Sequence, residues 1–300
     1  IKNEKINNVD FSLKQLTSNS SNLYQYDKLL IATGADSRKL QLNLEEKEIE
    51  KNILYLRDIE DSKNIKDKLS SSKKILIIGG GFIGLEVASA ANQLGKEVVV
   101  VEMVNHLMGR AIPEQVANII QKKHEENGTK FYLGKKINKI IKDGNLFKAV
   151  LDKEEKILAD LIIVGIGSQP NVDLFKDTEL KIDNGIITNE FCQTSVKDVF
   201  AAGDIANFYH PFYDTYMRLE SFKHAQNHGI NAGNNIVNNK IAYSEIPWMW
   251  SDQFDLNLQL TGICNSFDSI AKRGDDLNTG IIYFFLKNIK IIGACGVGKG

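Results

Sequence analysis

The residues with the clearest chemical use are Gly79-Gly80-Gly81-Phe82-Ile83-Gly84, a GxGxxG run that follows the apolar stretch Lys74 to Ile78. Beyond it Ile83, Val87, Ala90, Ala91 and Leu94 recur at helical spacing until Gly95 supplies a stop. In a strand-to-helix turn of this kind Gly79 allows the tight bend and Gly81 lets a pyrophosphate approach the backbone. Gly84 packs the helix against the sheet, and Ile83 lies in the same loop. The helix N-terminus adds unpaired N–H groups and a partial positive charge suited to phosphates. Glu102 closes the next strand, KEVVVVE, about 20 residues on. An acid there accepts from an adenosine ribose 2′-OH and repels a 2′-phosphate, so this unit is expected to bind NAD(H) in preference to NADP(H). The alternative is a glycine-rich turn that holds no nucleotide.

The elements that must position these residues follow from the pattern. Lys74 to Ile78, the helix after it and Lys96 to Glu102 form one strand-helix-strand unit. YDKLLIATG, Tyr26 to Gly34, reads as a buried parallel strand ending in a tight turn, and VFAAGD, Val199 to Asp204, as a strand entering a Gly-Asp turn. Pro113 to Asn127 is a helix with Val116, Ile119 and Ile120 on one face. Phe131 to Val150 alternates and breaks at Asp143-Gly144, which predicts a hairpin. Leu158 to Val164 is a buried strand leading to GIGSQPN, and Glu220 to Val237 a long polar-faced helix. From Pro247 short alternating strands with Gly turns predict a separate C-terminal α+β module. No solenoid period is present.

With 300 residues, 43% hydrophobic and 25% charged, the chain sits in the globular range and is long enough for about two domains. Its net charge of -1 supplies no positive field for a phosphate backbone, so nucleic acid is not expected as a partner. Cys192, Cys264 and Cys295 are far apart without a CxxC, which argues for buried thiols in a reducing compartment. His106, His124, His210, His224 and His228 show no metal-ligand spacing; His224 and His228 stand i, i+4, but HExxH is missing, and no metal is expected. A GxSxG elbow and a GxxxxGK[ST] loop are also lacking. No apolar run has membrane-spanning length, and IKNEKINNVD is no signal peptide, so a cytoplasmic location without membrane partners is expected. Ile1 and the ending GACGVGKG both read as cut ends.

The segments YDKLLIATGA, ILYLRDIEDS, ILIIGGGFIGLEVA, VGIGSQPN, VFAAGDIAN, RLESFKHAQNHG and PWMWSDQ run along nearly the whole chain. Together they resemble the flavoprotein ferredoxin-NAD(+) reductases, a group within the pyridine nucleotide-disulfide oxidoreductase superfamily that includes rubredoxin reductases and dioxygenase reductase components. The last two segments are the more specific to that group. The resemblance implies an α/β, glutathione-reductase-like fold with two Rossmann-type nucleotide-binding domains, the FAD one incomplete, and a partial C-terminal α+β domain. Residues 1–56 would open the FAD domain, 57–164 form the NAD domain, 165–243 complete the FAD domain and 244–300 begin the C-terminal reductase domain. Two departures stand out: the group's first βαβ unit, at least about 30 residues with its own GxGxxG, is missing, and the C-terminal domain stops early.

Carried over by residue, the resemblance puts Thr33 and Gly34 along FAD, Arg57 near its adenosine-pyrophosphate side, Gly203 and Asp204 at the ribityl chain, and the backbone at Phe222 by the isoalloxazine edge. Glu86 and Glu220 would face the nicotinamide carboxamide, Arg110 would reach the adenosine end, and Gly165 and Gly167 would let the backbone pass close to the cofactor. Trp248 and Trp250 alternate in a strand-like segment, so one of them is expected against the flavin, and family position favours Trp250. Blander readings stand beside these: Asp204 as a turn residue, Glu86 and Glu220 as acids favouring a helix N-terminus, Trp248 as core. The implied reaction takes hydride from NADH to FAD and passes single electrons to an iron–sulfur ferredoxin or a rubredoxin. Such a partner docks transiently on less than about 1,200 Å². Lys135, Lys136, Lys139 and Lys142 are a candidate basic patch for it, with a solvated hairpin face preferred. The alternatives are an NADH oxidase or coenzyme A-disulfide reductase, and an NAD(H)-binding regulator akin to apoptosis-inducing factor. A monomer or homodimer fits either case.

Overall fold

The computed structural model describes residues 3–42 and 47–299. It divides into two compact units, one of residues 37–168 with 250–300, the other of 1–36 with 169–249. Among the described residues no helix is long and apolar enough to cross a membrane.

The first unit is built on a five-stranded, all-parallel sheet in the order Ile53–Tyr55, Leu161–Val164, Lys74–Ile78, Glu97–Glu102, Lys130–Leu133. Its central strands are continuously apolar because both faces are covered. Along Lys74–Ile78 the side chains alternate between two cores. Ile75 and Ile77 pack with Val98, Val100, Leu161 and Ile163 against helical residues Ile65, Leu69, Val87, Ala88 and Ala91. Leu76 and Ile78 pack with Val101, Ile162 and Val164 against Ile140, Phe147, Ala149 and Ile157 of an antiparallel three-stranded sheet. The result is three layers: helices, parallel sheet, antiparallel sheet.

The helices are α1 (Lys47–Lys51), which places Ile49 in the second core, α2 (Ile59–Ser71), α3 (Phe82–Gln93) and α4 (Glu114–Glu126). Helix α2 starts with a reciprocal capping box: Asp58 accepts from the N–H groups of Glu60 and Asp61 at 2.9 Å each, and Asp61 accepts from the N–H of Asp58. Asp58→Ala is expected to lower stability by about 1 kcal/mol, read as the shift in a urea midpoint. Helix α3 ends in a Schellman arrangement at the glycine the sequence marks as a stop. Gly95, with φ +72°, donates to the Asn92 carbonyl at 2.8 Å, and Lys96 donates to that of Ala91 at 3.1 Å.

The hairpin reading of 131–150 needs correction. Lys130–Leu133 is the edge of the parallel sheet, and the hairpin is Ile137–Asp143 with Leu146–Leu151, turning through Gly144. Two strands of different sheets follow one another with little between them, so their alternations run together in the sequence. Lys135 pairs with Glu155 at 2.9 Å, while Lys136, Lys139 and Lys142 are exposed on or beside the hairpin.

From Trp248 the chain forms a five-stranded sheet in the order Trp248–Gln253, Leu256–Gly262, Lys290–Lys299, Ile281–Lys287, Ser269–Arg273, with antiparallel pairing along its last four strands. Leu256, Leu258 and Leu260 alternate inward with Cys295 opposite Leu260. The described part of this module, 248–299, holds strands and no helix.

In the second unit Leu29–Ile31 pairs in parallel with Val199–Ala201, and Ile186–Thr188 with Ala206–His210. Val199 and Ala201 enter one core with Ile31, Phe175 and Ile205, while Phe200 and Ala202 meet Ala232 of helix α5 (Phe222–Ile236) on the other face. Ser221 caps α5 by accepting from the His224 N–H.

Candidate functional site

In the first unit the glycine loop adopts the conformation its spacing implies. Gly79 has φ +108°, and a Cβ there would stand 2.3 Å from the Gly165 carbonyl oxygen. A Cβ on Gly84 would stand 2.1 Å from the Gly79 carbonyl oxygen, so α3 can lie this close only without one. Gly81 is different. It is the N-cap of α3, no side chain caps it, and a Cβ on it would find no atom nearer than 4.0 Å. Room is thus left where a phosphate would meet the helix N-terminus, and no acid sits in the first turn to repel it. Ile83 is exposed on that turn. Glu102 ends its strand with one carboxylate oxygen accepting from the Gly80 N–H at 2.7 Å and the other from the Val104 N–H at 3.0 Å. The acid therefore shapes the loop. These residues fit the pyrophosphate and ribose of a dinucleotide.

Four further expected site residues belong to the same unit. Gly167, at φ +101°, faces the Arg110 guanidinium, which a Cβ would meet at 2.9 Å. Gly165 packs on the backbone of Gly84, 3.2 Å from where its Cβ would be. Arg57 is exposed at the start of α2, with its N–H donating to Asp61 at 2.9 Å. It belongs to this unit, whereas Thr33 and Gly34 belong to the other.

Glu86, on the second turn of α3, accepts a 2.6 Å hydrogen bond from the Ser251 hydroxyl. Loss of hydration pushes its carboxyl above the ordinary 4.5; the Ser251 bond opposes that, and the nearby Asp252 charge adds to it. Ionising Glu86 thus costs more in the folded chain than in the unfolded one. Its effect on stability is absent at acid pH and becomes a penalty as pH rises through the raised pKa. Glu86→Gln is expected to melt higher than wild type at neutral pH and level with it near pH 4.5. Equal melting temperatures at both pH values in scanning calorimetry would refute this.

Trp248 and Trp250 require a correction. Residues i and i+2 of a strand share a face, so within Trp248–Gln253 both tryptophans point the same way, and Ser251 and Gln253 occupy the buried face. Trp250 is 44% exposed, whereas Trp248 is half-buried with the Lys223 ammonium 5.6 Å from its ring.

In the second unit, parallel strands bring two tight turns side by side at their carboxyl ends, where open α/β sheets bind ligands. Ala201 is opposite Ile31, and the Ala202 N–H donates to the Ile31 carbonyl. Thr33 and Gly34 (φ +67°) therefore neighbour Gly203 (φ +78°) and Asp204. Asn171 spans the first turn, its amide donating to the Thr33 carbonyl at 3.0 Å while its own carbonyl accepts from the Thr33 hydroxyl at 3.2 Å. A hydroxyl, two left-handed glycine turns and a carboxylate on one sheet edge are a donor and acceptor set that fits a flavin's ribityl and phosphate groups.

Arg218 ties this edge to Glu220, a link the sequence reading missed. Its buried guanidinium pairs with the Glu220 carboxylate at 2.7 Å, donates to the Asp204 carbonyl at 3.3 Å and to the Asn184 side chain at 3.3 Å. Phe222, the first residue of α5, is 74% exposed. His228 was also unassigned; its Nδ1 accepts from the Gly203 N–H at 3.2 Å and so braces the same turn. Burial, with His224 beside it, pushes His228 down to about 3, which keeps the ring neutral, and the Gly203 N–H marks Nδ1 as its acceptor nitrogen. Among the described residues no His, Cys, Asp or Glu cluster has metal-holding geometry. Cys192, Cys264 and Cys295 are buried and unpaired, and burial pushes each thiol up to about 12, so none is a thiolate nucleophile at neutral pH.

Comparison with known proteins agrees with this layout. Residues 2–229 match the family model described as pyridine nucleotide-disulphide oxidoreductase, and residues 248–300 match the reductase C-terminal model. A rubredoxin-NAD(+) reductase of Ectopseudomonas oleovorans is 35% identical over 270 residues, covering 90% of this chain and 69% of that protein. The ferredoxin-NAD(+) reductase component of the anthranilate 1,2-dioxygenase system of Burkholderia cepacia is 33% identical over 277 residues, covering 92% and 67%. Among solved structures, the ferredoxin reductase for the CYP199A2 system from Rhodopseudomonas palustris superposes with a TM-score of 0.92 at 30% identity, over 98% of this chain and 72% of that one. A covalent putidaredoxin reductase-putidaredoxin complex superposes with 0.91 at 28% identity, over 98% and 71%. With most of its length matched by the family model and relatives above 30% identity across nine-tenths of it, the chain belongs to the pyridine nucleotide-disulphide oxidoreductase family.

Proposed function

We propose that the protein is an FAD-dependent reductase that takes electrons from NADH and delivers them to a small iron–sulfur ferredoxin or a rubredoxin. Bound FAD supplies the conversion of a hydride, two electrons at once, into single-electron steps. The chain's own residues bind and orient. Gly79, Gly81 and Gly84 with the α3 N-terminus hold the dinucleotide phosphates, Glu102 selects the unphosphorylated ribose, and Arg110 over Gly167 serves the adenosine end. Glu86 and Glu220 orient the carboxamide, so that the nicotinamide is presented in a reactive pose. Thr33, Gly34, Gly203 and Asp204 hold the flavin, with the Phe222 backbone and the exposed Trp250 at its ring, and Arg57 serves its pyrophosphate side. On this reading the FAD-binding domain is residues 1–56 with 165–243, the NAD-binding domain 57–164 and the reductase module 244–300, except that Ile53–Tyr55 pairs into the parallel sheet beside the glycine loop and so goes with the NAD-binding domain. Three unpaired thiols suit a reducing cytoplasm.

The observation that carries the reading is the Gly79–Gly84 loop closed on Glu102, open only at Gly81. It is tested on the protein in its full natural length by recording the visible spectrum before and after anaerobic NADH. Flavin bands that bleach quickly with NADH and slowly with NADPH are expected; a colourless protein, or a flavin that NADH cannot reduce, overturns the proposal. Glu102→Ala then removes a charged acceptor worth about 1.5–3 kcal/mol together with the repulsion of a 2′-phosphate. The ratio of kcat/KM for NADH over NADPH is expected to fall at least about tenfold.

A further inference from the structure

Behind Glu86 lies a row of buried polar side chains that no part of the proposed reaction uses. Ser251 and Gln253 are each 1% exposed and His124 is fully buried, held between the edges of Phe131 and Phe254. The hydrogen bonds run Gln253 Nε2 to Ser251 Oγ at 3.0 Å and His124 Nε2 to Gln253 Oε1 at 2.9 Å, and Ser251 Oγ to Glu86 Oε1 completes the row. At the far end Thr129 Oγ1 lies a long 3.5 Å from His124 Nδ1 and accepts from the Asn92 amide.

The direction of each bond follows from the one before it. The Thr129 hydroxyl accepts from Asn92 and keeps its one proton available for His124 Nδ1. Burial favours the neutral imidazole, which has one donor and one acceptor, and with Nδ1 accepting, Nε2 carries the proton. That N–H meets the Gln253 carbonyl oxygen, which turns the Gln253 NH2 to Ser251, and the Ser251 proton is left for Glu86. Every donor points toward one carboxylate, and bonds aligned in this way polarise one another. A Glu86 proton facing Ser251 would leave the buried Ser251 hydroxyl, which already accepts from Gln253, without Glu86 as the acceptor for its own proton.

We infer that Gln253 is a positioning residue for Glu86: through Ser251 it occupies Oε1 with a donated proton and fixes the carboxylate as an acceptor whose Oε2 is reserved for an external N–H donor. This rests on the reading that Glu86 faces the nicotinamide carboxamide, whose NH2 is such a donor. A network that served only to dock the strand would need no common direction; docking is already provided by the Phe254 N–H donating to Ser89 Oγ at 2.7 Å.

The test compares binding of NADH with that of its 3-acetylpyridine analogue, which lacks the amide N–H, and measures the His124 ring by nitrogen NMR in the full-length wild-type protein. Wild type is expected to favour NADH by about tenfold or more, with His124 protonated at Nε2. Gln253→Met and Ser251→Ala are expected to cut that preference severalfold while leaving ADP-ribose affinity unchanged, and Ser251→Thr, which keeps the hydroxyl, to restore it. Should Gln253→Met not fold, the Ser251 pair and the wild-type NMR decide. If Glu86→Gln keeps the full preference, the nicotinamide reading fails and the inference with it. If Glu86→Gln loses the preference but Ser251→Ala keeps it, or if His124 is protonated at Nδ1, the relay alone is overturned and the nicotinamide reading stands.

Discussion

Gly84→Ala is expected to weaken NADH binding at least about tenfold and to cost about 1–3 kcal/mol of stability, the usual range for overpacking. Gly81→Ala, three residues away, is expected to melt with wild type and still lose NADH. The difference follows from what each new Cβ would meet. At Gly84 the obstacle is the Gly79 carbonyl oxygen at 2.1 Å, with the Gly79 carbonyl carbon at 3.2 Å and Ile77 Cγ2 at 3.3 Å. Two of these three are backbone, so the first turn of α3 must lift from the strand end and take the phosphate-facing N–H groups with it. At Gly81 the backbone has φ −85° and ψ −174°, which alanine adopts freely, and the nearest protein atom is 4.0 Å away. The added methyl occupies only the space assigned to the pyrophosphate. Calorimetric melting with NADH titration separates the two effects, and wild-type affinity in Gly81→Ala would remove the dinucleotide from this loop.

The difference between these glycines also explains what could be read from the sequence. Gly79, Gly81, Gly84 and Glu102 lie within one strand-helix-strand unit, so local geometry alone relates them, and the helix, its Gly95 stop and the acid-terminated strand were all legible. The partner of Glu86 is Ser251, 165 residues away, and that of Asp204 is Arg218, across a strand pair. No periodicity links such pairs. Arg218 had one available signal, since it stands two residues before Glu220 in the same RLES segment. The tryptophans failed for another reason: period 2 puts Trp248 and Trp250 on one face, and only burial distinguishes them. The edge strand Lys130–Leu133 was absorbed into the hairpin after it because alternation reports which side is buried, not which sheet a strand joins.

Arg218→Ala is expected to strip flavin from the protein during gel filtration and to lower stability by about 1–3 kcal/mol. Removing one member of a fully buried ion pair costs about 3–5 kcal/mol because the other charge is left unpaired. Arg218 is 8% exposed at its side chain, but Glu220 is 35% exposed, so water recovers part of that loss and the lower range applies. Flavin retention depends on the other bond. Arg218 donates to the Asp204 carbonyl at 3.3 Å, and the His228 ring accepts from the Gly203 N–H at 3.2 Å, so the Gly203-Asp204 turn is held from both sides. Without the guanidinium the turn loses the donor to the Asp204 carbonyl while the histidine brace stays, and the Asp204 carboxylate is aimed less firmly. Arg218→Lys keeps a charge for Glu220 but lacks the planar fork that reaches two acceptors at once. It should therefore recover stability more fully than flavin content. Glu220→Gln leaves the Asp204 bond intact and should keep its flavin. Full flavin in Arg218→Ala would mean that Asp204 needs no such support.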